Sequence, residues 1–397
     1  MVSASVRDTL DILTNAAGGI RTGPVVLNKL QVSGTIALDQ LGAPGLSIHG
    51  QVFRTDGESL SARVGDIQTL DSLDTQPVTR LFEAWVEKSF GDGAPSAALR
   101  AGLLDLNADF DSIQTASLFI NSSHGIGADL ARSGRNGPSI YPVSALGARV
   151  SWSPSKDLTL RFGIFDGVPG DLDRPRAFVA ARLGRGDGVL MIGQADYNLA
   201  EKAKIEAGLW RYTALLPQLD GQASGHDQGV FASIDSPIPR MDKLSGWLRI
   251  GFANGKVQAV QTYLGAGLVL TGPFQGRPND RLGLAIAHAG ISEPERTLSG
   301  VPASETSIEA TYQVKLRETF AVQPDVQYVV DPAGARRARS ALVFGLRLVV
   351  TGGYPKKAPA ADATDPTVPP EGPQPSDEGG EPKISGSTVA SGHWRRL

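Results

Sequence analysis

The chain of 397 residues contains no cysteine. Disulfide bonds, thiolate catalysis and cysteine-ligated zinc are therefore excluded. The sequence also lacks an apolar run approaching the length of about eighteen residues that a transmembrane helix needs. Membrane insertion as a β-barrel stays open, because a barrel strand needs only about 10 residues of alternating character.

Long basic runs are missing as well. The 38 basic residues are outnumbered by 41 acidic ones, and no stretch interleaves aromatic with basic residues. This composition argues against a nucleic-acid partner. The first residues, MVSASVRDTLDIL, lack the basic start and apolar core of a signal peptide. Either the numbering begins at a mature or recombinant start, or the chain is not exported.

Catalytic signatures are equally absent. The sequence has no G-x-S-x-G, no P-loop and no dinucleotide-binding fingerprint, and its 5 histidines do not pair at metal-ligand spacing. The run DLNADFD resembles a calcium loop but lacks the glycine and the closing glutamate. Asp105 and Asp109 could be imagined as a glycosidase pair, but nothing in the sequence indicates a raised pKa. We therefore predict neither an enzyme nor a metal or cofactor site.

Period-two alternation dominates the chain between Val6 and Val350. In one clear example, the apolar Leu160 and Phe162 flank Arg161. About eighteen candidate strands follow this pattern, joined by short turns and longer polar loops, and no helical pattern interrupts them. The series predicts an all-β protein whose sheet has one apolar and one polar face.

The polar face of these candidate strands is unusually charged. A soluble sandwich could show the same alternation, but so many strands without a dividing linker would make a very large sandwich or several domains. In a membrane barrel, such charges line a watery lumen while the opposite face meets lipid. We therefore predict a transmembrane antiparallel β-barrel over residues 1–350. The charges concerned are Arg100, Arg149, Arg161, Arg249, Glu309 and Arg347.

Four segments, GLLDLNADFD, SLFINSSHGIG, YPVSALGARVSW and LRFGIFDG, resemble the carbohydrate-selective outer-membrane porins of the OprB type. Weaker pieces, from RLFEAWVEKSFGDG upstream to FGLRLVV downstream, follow in the family's order, so the resemblance covers Leu10 to Val350. It implies a barrel of about sixteen strands, narrowed by inward-folded loops, through which sugars diffuse. Two of our candidate strands, 63–68 and 117–120, are then expected to lie within loops.

A sugar site needs planar hydrogen-bonding groups for the hydroxyls and an apolar or aromatic surface for the C–H face. We expect such groups where the polar connection between Leu104 and Ala145, about forty residues long, narrows the pore. For each wall charge the alternative is an ordinary solvated lumen residue, and for the loop histidine it is a local hydrogen-bonding role. The candidates are Asp105, Asn107, Asp109, Phe110, Asn121, His124 and Tyr141 from the loop, and Arg80, Glu83, Trp85, Arg100, Arg149 and Arg161 from the wall.

The resulting hypothesis is a porin of a Gram-negative outer membrane that lets small sugars diffuse passively. Its expected surroundings are outer-membrane lipid, and the resemblance implies a pore that works as a monomer. Two alternatives stay open. One is a general or anion-biased pore, because inward arginines outnumber inward acids; the other is a structural barrel that presents a periplasmic tail to a partner.

Residues 351–397 depart from the family, which ordinarily ends at its last strand with a terminal aromatic residue. This segment contains eight prolines and few apolar residues, and it cannot bury an apolar face. We predict a disordered extension on the periplasmic side. It is either a solvated tether or a contact to peptidoglycan or protein through His393, Trp394, Arg395 and Arg396.

Overall fold

The computed structural model describes residues 2–199, 202–241 and 243–354. Sixteen strands form a closed antiparallel barrel, in which each strand pairs with its neighbours in sequence and β1 pairs with β16. The predicted barrel of about sixteen strands is confirmed, whereas our larger number of candidate strands was too high. Segments 63–68 and 117–120 are not strands, because they overlap the short helical turns at Ser61–Val64 and Thr115–Leu118.

The strands range from short central ones to long ones at the closing seam. The first eight are β1 Val2–Gly19, β2 Gly23–Ala37, β3 Leu46–Gly57, β4 Val78–Phe90, β5 Ser96–Leu104, β6 Ala145–Ser153, β7 Leu158–Asp166 and β8 Val189–Leu199. The second eight are β9 Ala203–Pro217, β10 Ser224–Pro237, β11 Leu244–Ala253, β12 Val260–Thr271, β13 Arg281–Ile291, β14 Ser304–Arg317, β15 Phe320–Val330 and β16 Arg339–Tyr354.

Helices occur only as short pieces within the described connections. They are the 3₁₀ turns Asp39–Leu41 and Thr115–Leu118 and the helices α1 Ser61–Val64, α2 Ser122–Gly125, α3 Ala128–Ala131 and α4 Glu293–Ser299. In the part of the chain that the structure describes, none of them is long and apolar enough to cross a membrane.

The connections differ in length between the two ends of the barrel. The longest follow β3, β5 and β7, at residues 58–77, 105–144 and 167–188. The opposite end, where β1 begins and β16 stops, carries shorter turns such as 154–157. Both chain ends of the barrel therefore lie at the end that carries the shorter turns, hereafter the short-turn end.

The two faces of each strand differ as the alternation predicted. On β1, Val6 and Ile12 point outward and are 46% and 43% exposed, whereas Arg7, Thr9 and Asp11 point inward and are buried. The outer apolar groups are the surface that lipid covers in a membrane. The prediction of one apolar and one polar sheet face is confirmed.

The wall strand β4 departs from strict alternation at one point. The register between β3 and β4 shifts where Gln51 pairs with Glu83 and Val52 pairs with Leu81, which leaves Phe82 as an extra residue. Such a β-bulge turns two successive side chains to one face. Strict alternation with Glu83 would place Phe82 on the apolar outer face, but it is buried on the inner side with Glu83.

The last strand extends further than the predicted domain boundary. Residues 351–354 belong to β16 and pair with β1, where Thr351 lies opposite Arg7. Residues 355–397, including the predicted contact group His393 to Arg396, lie outside the described residues.

Gly102 tests how closely the backbones of β4 and β5 must approach each other. It lies opposite Trp85 at φ +144°, and a Cβ there would be 2.7 Å from the Trp85 Cα. We expect Gly102→Ala to lower the free energy of unfolding by about 1–3 kcal/mol because the backbone must shift or strain. The measurement is guanidinium unfolding of protein inserted in lipid vesicles.

The matched control is Gly50→Ala on β3, the strand on the other side of β4. A Cβ at Gly50 would meet nothing within 4 Å. Its unfolding midpoint should stay near that of the parent protein. Equal shifts for the two variants would show that the close approach at Gly102 does not matter.

Candidate functional site

The connection at residues 105–144, hereafter the long loop, is bound to the inner wall by a buried charge cluster. Arg249 of β11 donates to Asp111 at 3.0 and 2.8 Å and also pairs with Asp129. All three side chains are almost wholly buried. A buried guanidinium is tolerated when carboxylates surround it in this way. The long loop therefore folds into the barrel and does not extend into solvent.

A second set of contacts fixes the long loop to the far wall. The carboxylate of Glu309, on β14, accepts the backbone N–H groups of Ile120 and Asn121 at 2.6 and 3.0 Å. The Gln323 amide, on β15, donates to the carbonyl of Leu118 at 2.7 Å. Because the long loop starts at the end of β5, these contacts mean that it crosses the lumen.

The connection at residues 58–77, hereafter the β3–β4 loop, folds inward beside the long loop. Glu305 of β14 accepts the backbone N–H groups of Ile67 and Gln68 at 2.8 and 3.1 Å. The two loops also bond to each other, for example from the Ser122 N–H to the Thr69 carbonyl at 3.0 Å. The resemblance implied inward-folded loops, and segment 63–68 was expected to lie within a loop, but sequence analysis named only the connection between Leu104 and Ala145 as narrowing the pore.

Three charges that we expected to line a watery lumen are covered by these loops. Arg249, Glu309 and Arg347 are 1%, 0% and 4% exposed. Arg347 pairs with Asp11 of β1 at 2.6 Å and with Asp71 of the β3–β4 loop at 3.1 Å. They face inward as predicted, but their role is to anchor the loops.

A cavity of about 590 Å³ remains between strands β2–β5 and the two loops; we call it the central cavity. Its wall side is polar, and its loop side mixes amides and hydroxyls with a few apolar groups. The wall contributes Lys29, Thr35, Ser47, His49, Gln51, Phe82, Glu83, Trp85, Glu87 and Arg100. The loop side includes Asp74, Asp105, Asn107, Phe119, Asn121, Ser123, Ile126, Arg132, Ile140 and Tyr141.

Trp85 lies at the centre of a three-part stack in this wall. The ring of His49, on β3, stacks on the indole with centroids 4.8 Å apart. The guanidinium carbon of Arg100, on β5, is 4.0 Å from the indole centroid. Because β3 and β5 flank β4 on opposite sides, the two partners cover opposite faces of the ring. The indole therefore presents its edge to the cavity, and its N–H donates to Glu83 at 3.1 Å.

Arg100 also belongs to a ring of two arginines and two carboxylates. It contacts Glu87 at 2.9 Å and Asp109 of the long loop at 3.2 Å. Arg149 contacts the same two carboxylates at 2.9 and 3.0 Å. Each carboxylate therefore bridges both guanidinium groups. This arrangement fixes the direction of the Arg100 donors before any solute arrives, which reduces the entropy cost of binding.

The structure brings seven of the thirteen predicted site residues to the central cavity. Burial raises the pKa of the Tyr141 phenol well above its ordinary value, so the hydroxyl stays protonated and donates to the Leu73 carbonyl at 3.0 Å. Asp109 and Arg149 lie behind the cavity lining in the ring described above. The seven that line the cavity are Glu83, Trp85, Arg100, Asp105, Asn107, Asn121 and Tyr141.

The other four predicted residues have different positions. Arg80 donates to the carbonyls of Pro142 and Pro175 at 2.8 and 2.6 Å and so holds two loops together. Arg161 pairs with Asp196 farther round the wall. The two remaining residues, Phe110 and His124, are buried.

Phe110 and His124 are packing residues of the long loop. Phe110 lies in an apolar cluster and contacts Phe165 with ring centroids 6.3 Å apart. His124 packs between Phe119 and Trp247, at 5.0 and 5.5 Å. Burial lowers the pKa of His124 to about 3, so its ring is neutral at pH 7. Phe110 and His124 therefore point away from the central cavity, although their neighbours Asp109 and Ser123 lie towards it. The sequence does not reveal this difference between neighbouring positions.

The cavity-lining residues that were missed include Lys29, His49, Glu87 and Arg132. The first three sit at inward positions of alternating strands, so the period-two pattern could have found them. Arg132 donates to the Ile67 carbonyl at 2.8 Å, a contact between loops that has no sequence signal. Among the described residues, no group of three or more acidic or histidine side chains could hold a metal ion.

A larger cavity of about 1020 Å³, the basal cavity, lies at the short-turn end of the barrel. Its lining includes the Asp235 carboxylate, which accepts from the backbone N–H of Thr115 at 2.8 Å. The cavity therefore reaches from the turns up to the underside of the long loop. Its charged lining residues are Arg7, Lys156, Asp157, Lys202, Lys204, Asp235, Arg281, Lys315, Arg317 and Glu318.

Comparison with known proteins agrees with this architecture. The family model described as "Carbohydrate-selective porin, OprB family" matches residues 21–351. Porin B of Pseudomonas aeruginosa is 23% identical over 359 residues, covering 78% of this chain and 77% of that protein. A putative porin, QuiX, of Acinetobacter baylyi is 23% identical over 412 residues, covering 86% of this chain and 88% of that protein.

Two solved structures share the fold. The high-pH structure of Pseudomonas putida OprB has a TM-score of 0.75 at 18% identity, covering 88% of this chain and 94% of that one. The outer-membrane channel DcaP of Acinetobacter baumannii has a TM-score of 0.56 at 10% identity, covering 89% and 96%. At these identities the likeness concerns the barrel and its loops as a fold.

The Arg249 cluster predicts how firmly the long loop is held. Arg249→Met keeps the side-chain length but leaves Asp111 and Asp129 buried without their cation. We expect the free energy of unfolding to fall by about 3–5 kcal/mol and protease cleavage within residues 105–144 to accelerate. Guanidinium unfolding and limited proteolysis measure the two effects.

Arg54→Met is the matched control. Arg54 pairs with Asp56 at 2.9 Å, but the two side chains are 64% and 53% exposed. Exposed pairs contribute less than about 1 kcal/mol. If Arg54→Met and Arg249→Met behaved alike, the Arg249 cluster would not be the anchor.

Proposed function

The chain belongs to the carbohydrate-selective porin family, OprB, and we propose that it carries small neutral sugars by passive diffusion through the central cavity. A porin of this family and fold belongs in a Gram-negative outer membrane. The observation that supports sugar passage is the concentration of oriented donors and acceptors, beside apolar groups, in one cavity of about 590 Å³. A cavity of that size is within the range of small-molecule sites.

The charges that line the central cavity nearly cancel. Its lining has three cationic side chains and four carboxylates. A neutral solute therefore meets donors and acceptors without a strong net field that would concentrate ions of one sign. The cationic residues are Lys29, Arg100 and Arg132, and the carboxylates are Asp74, Glu83, Glu87 and Asp105.

Sugar hydroxyls would replace water at these groups. Arg100 offers donors in a direction fixed by Glu87 and Asp109, while Glu83 and the Asn107 amide offer further polar atoms. A hydrogen bond exchanged with water contributes only about 0.5–1.5 kcal/mol net. A few such bonds would give modest affinity, which lets the solute leave again. No step needs ATP or covalent chemistry.

The C–H face of a sugar would be accommodated by apolar loop residues and by the edge of Trp85. Both faces of that indole are already covered by His49 and Arg100. Phe119 and Ile140 supply apolar surface on the loop side of the cavity. The aromatic contact is therefore expected at ring edges, which favours broad over strict sugar recognition.

A second candidate function is an anion-biased pore. The basal cavity supports it, because seven cationic side chains and three carboxylates line it among the residues that the structure describes. A positive vestibule attracts anions and raises their local concentration. In that case the central cavity would limit the size of the solutes that pass, and the basal cavity would set the preference for anions over cations.

The deciding experiment is single-channel conductance of the refolded protein in a planar bilayer. Under our proposal, glucose and maltose-length sugars reduce the open conductance in a saturable way, with a half-block concentration in the millimolar range or above. A conductance that sugars leave unchanged, together with a strong anion preference in a KCl gradient, would favour the second function and overturn the first.

Arg100→Met tests the proposed sugar site. The substitution removes the oriented guanidinium but keeps an unbranched side chain. Losing one or two hydrogen bonds should raise the half-block concentration of glucose by about three- to tenfold, as each contributes about 1 kcal/mol. The measurement is sugar titration of single-channel current.

Arg161→Met is the control because Arg161 faces inward but does not line the central cavity. It removes the same charge from the wall, and glucose block should stay within about twofold of the parent, since the lost pair with Asp196 is partly exposed. Equal weakening by both variants would mean that lumen charge matters and that the Arg100 position does not.

A further inference from the structure

The outer face of the barrel carries a groove on strands β10–β14; we call it the outer groove. Its volume is about 540 Å³, and its lining is apolar apart from Ser236 and the buried Trp247. Small residues form its floor, namely Ser236 of β10, Gly246 of β11 and Ala266 of β12. The barrel surface that faces lipid is therefore indented here.

Large aliphatic side chains stand on both sides of this floor. A Cβ at Gly246 would be 3.0 Å from Leu268 Cδ2 and 3.1 Å from Ile238 Cδ1, so both side chains lie directly beside the glycine. Farther along the groove, Leu248 and Leu284 point outward and are 43% and 56% exposed. A narrow groove between such walls suits an unbranched hydrocarbon chain, because a void there would forfeit dispersion contacts on both sides.

One end of the outer groove lies at the turn between β10 and β11, since Ile238 of this turn belongs to the lining. The same turn carries Arg240 and Lys243, whose side chains are exposed and do not line the basal cavity. The Lys243 ammonium donates to the Gly272 carbonyl of the next turn at 3.5 Å, which places it below β11 and β12. In sequence, the turn has these two cations and one acid, Asp242.

An aromatic pair marks the level of the membrane surface at this end. Phe274, in the turn after β12, is 59% exposed and contacts Tyr312 of β14 with ring centroids 5.7 Å apart. Aromatic residues concentrate where membrane hydrocarbon meets the headgroups. The neighbouring turn with Arg240 and Lys243 therefore lies at headgroup level, while the outer groove faces hydrocarbon.

We propose that the outer groove binds one anionic phospholipid, with an acyl chain beside Leu268 and Ile238 and the phosphate at Arg240 and Lys243. Hydrocarbon alone gives little selection, because surrounding lipid chains are as apolar as the groove. Selection comes from the shape of the groove and from charge. A basic residue at the membrane surface favours an anionic headgroup by about fivefold, and Asp242 offsets part of the effect of the two cations.

The first test is native mass spectrometry of the delipidated full chain in detergent. It is titrated with phosphatidylglycerol and, separately, with phosphatidylcholine that has the same acyl chains. One phosphatidylglycerol should bind about fivefold more tightly than phosphatidylcholine, and Arg240→Gln with Lys243→Gln should abolish this preference. The control, Lys202→Gln with Arg317→Gln, removes two exposed cations from the basal lining at the same end, and the preference should persist.

Ala266→Phe tests the groove itself. The larger side chain occupies the space of the acyl chain, so binding of both phospholipids should weaken by at least about threefold. Ala101→Phe on β5 is the control, because Ala101 is exposed, lies opposite the outward Val86 and is outside the outer groove. Its lipid binding should match that of the parent protein.

The second test places the lipid in a bilayer. Phosphatidylglycerol with a photoreactive diazirine in one acyl chain is mixed into vesicles that contain the protein, and labelled peptides are identified after irradiation. Labelling should concentrate within residues 234–286 and should fall there in Ala266→Phe. Labelling spread evenly around the barrel would show that these lipids do not prefer the outer groove.

Other occupants give different results. Dimers or trimers that persist after delipidation and are lost in Ala266→Phe would assign the groove to a second copy of the chain and overturn the proposal. Displacement of phosphatidylglycerol by inorganic phosphate, or equal weakening by the two pairs of cation substitutions, would also overturn it. Each variant should keep the unheated electrophoretic mobility of the folded barrel. Because no arm uses sugar or conductance, these results and those on sugar diffusion are independent.

Discussion

The constraint on which the whole structure depends is the lack of hydrogen-bonding partners in lipid. Every backbone N–H and C=O within the membrane must be paired by the protein, so a sheet that spans it has to close. The pairing of β1 with β16, from Ala4 opposite Tyr354 to Gly19 opposite Arg339, supplies that closure. Once the seam is fixed, the sequential order of the other strands follows.

Closure creates an interior with many polar groups, and the inward loops divide it. On the β11–β16 side, buried charges such as Arg249 and Glu309 are used to hold the loops. On the β2–β5 side, the polar groups remain available around the central cavity. The same inward position on a strand therefore has two different roles, and the path of the long loop decides between them.

This division also explains what could be predicted from the sequence. Strands were predictable because alternation is a local property, as the run around Arg161 shows. The anchor between Glu309 and Ile120 was not, because it joins residues 189 positions apart. The bulge at Phe82 changes the phase of a strand without a distinctive residue type. In the long loop, Asp109 reaches the arginine ring while the adjacent Phe110 enters the apolar cluster, and neighbouring positions alone could not show this.

The wall carboxylates hold the loops chiefly by their main chain. Glu305 and Glu309 accept N–H groups at Ile67, Gln68, Ile120 and Asn121, which every residue except proline can supply. Substituting the side chains of these four loop residues, except by proline, therefore leaves the bonds to Glu305 and Glu309 in place. At these two anchors the loop position depends on backbone atoms, so evolution can vary the side chains that these loop segments present to the lumen without releasing the segments from the wall.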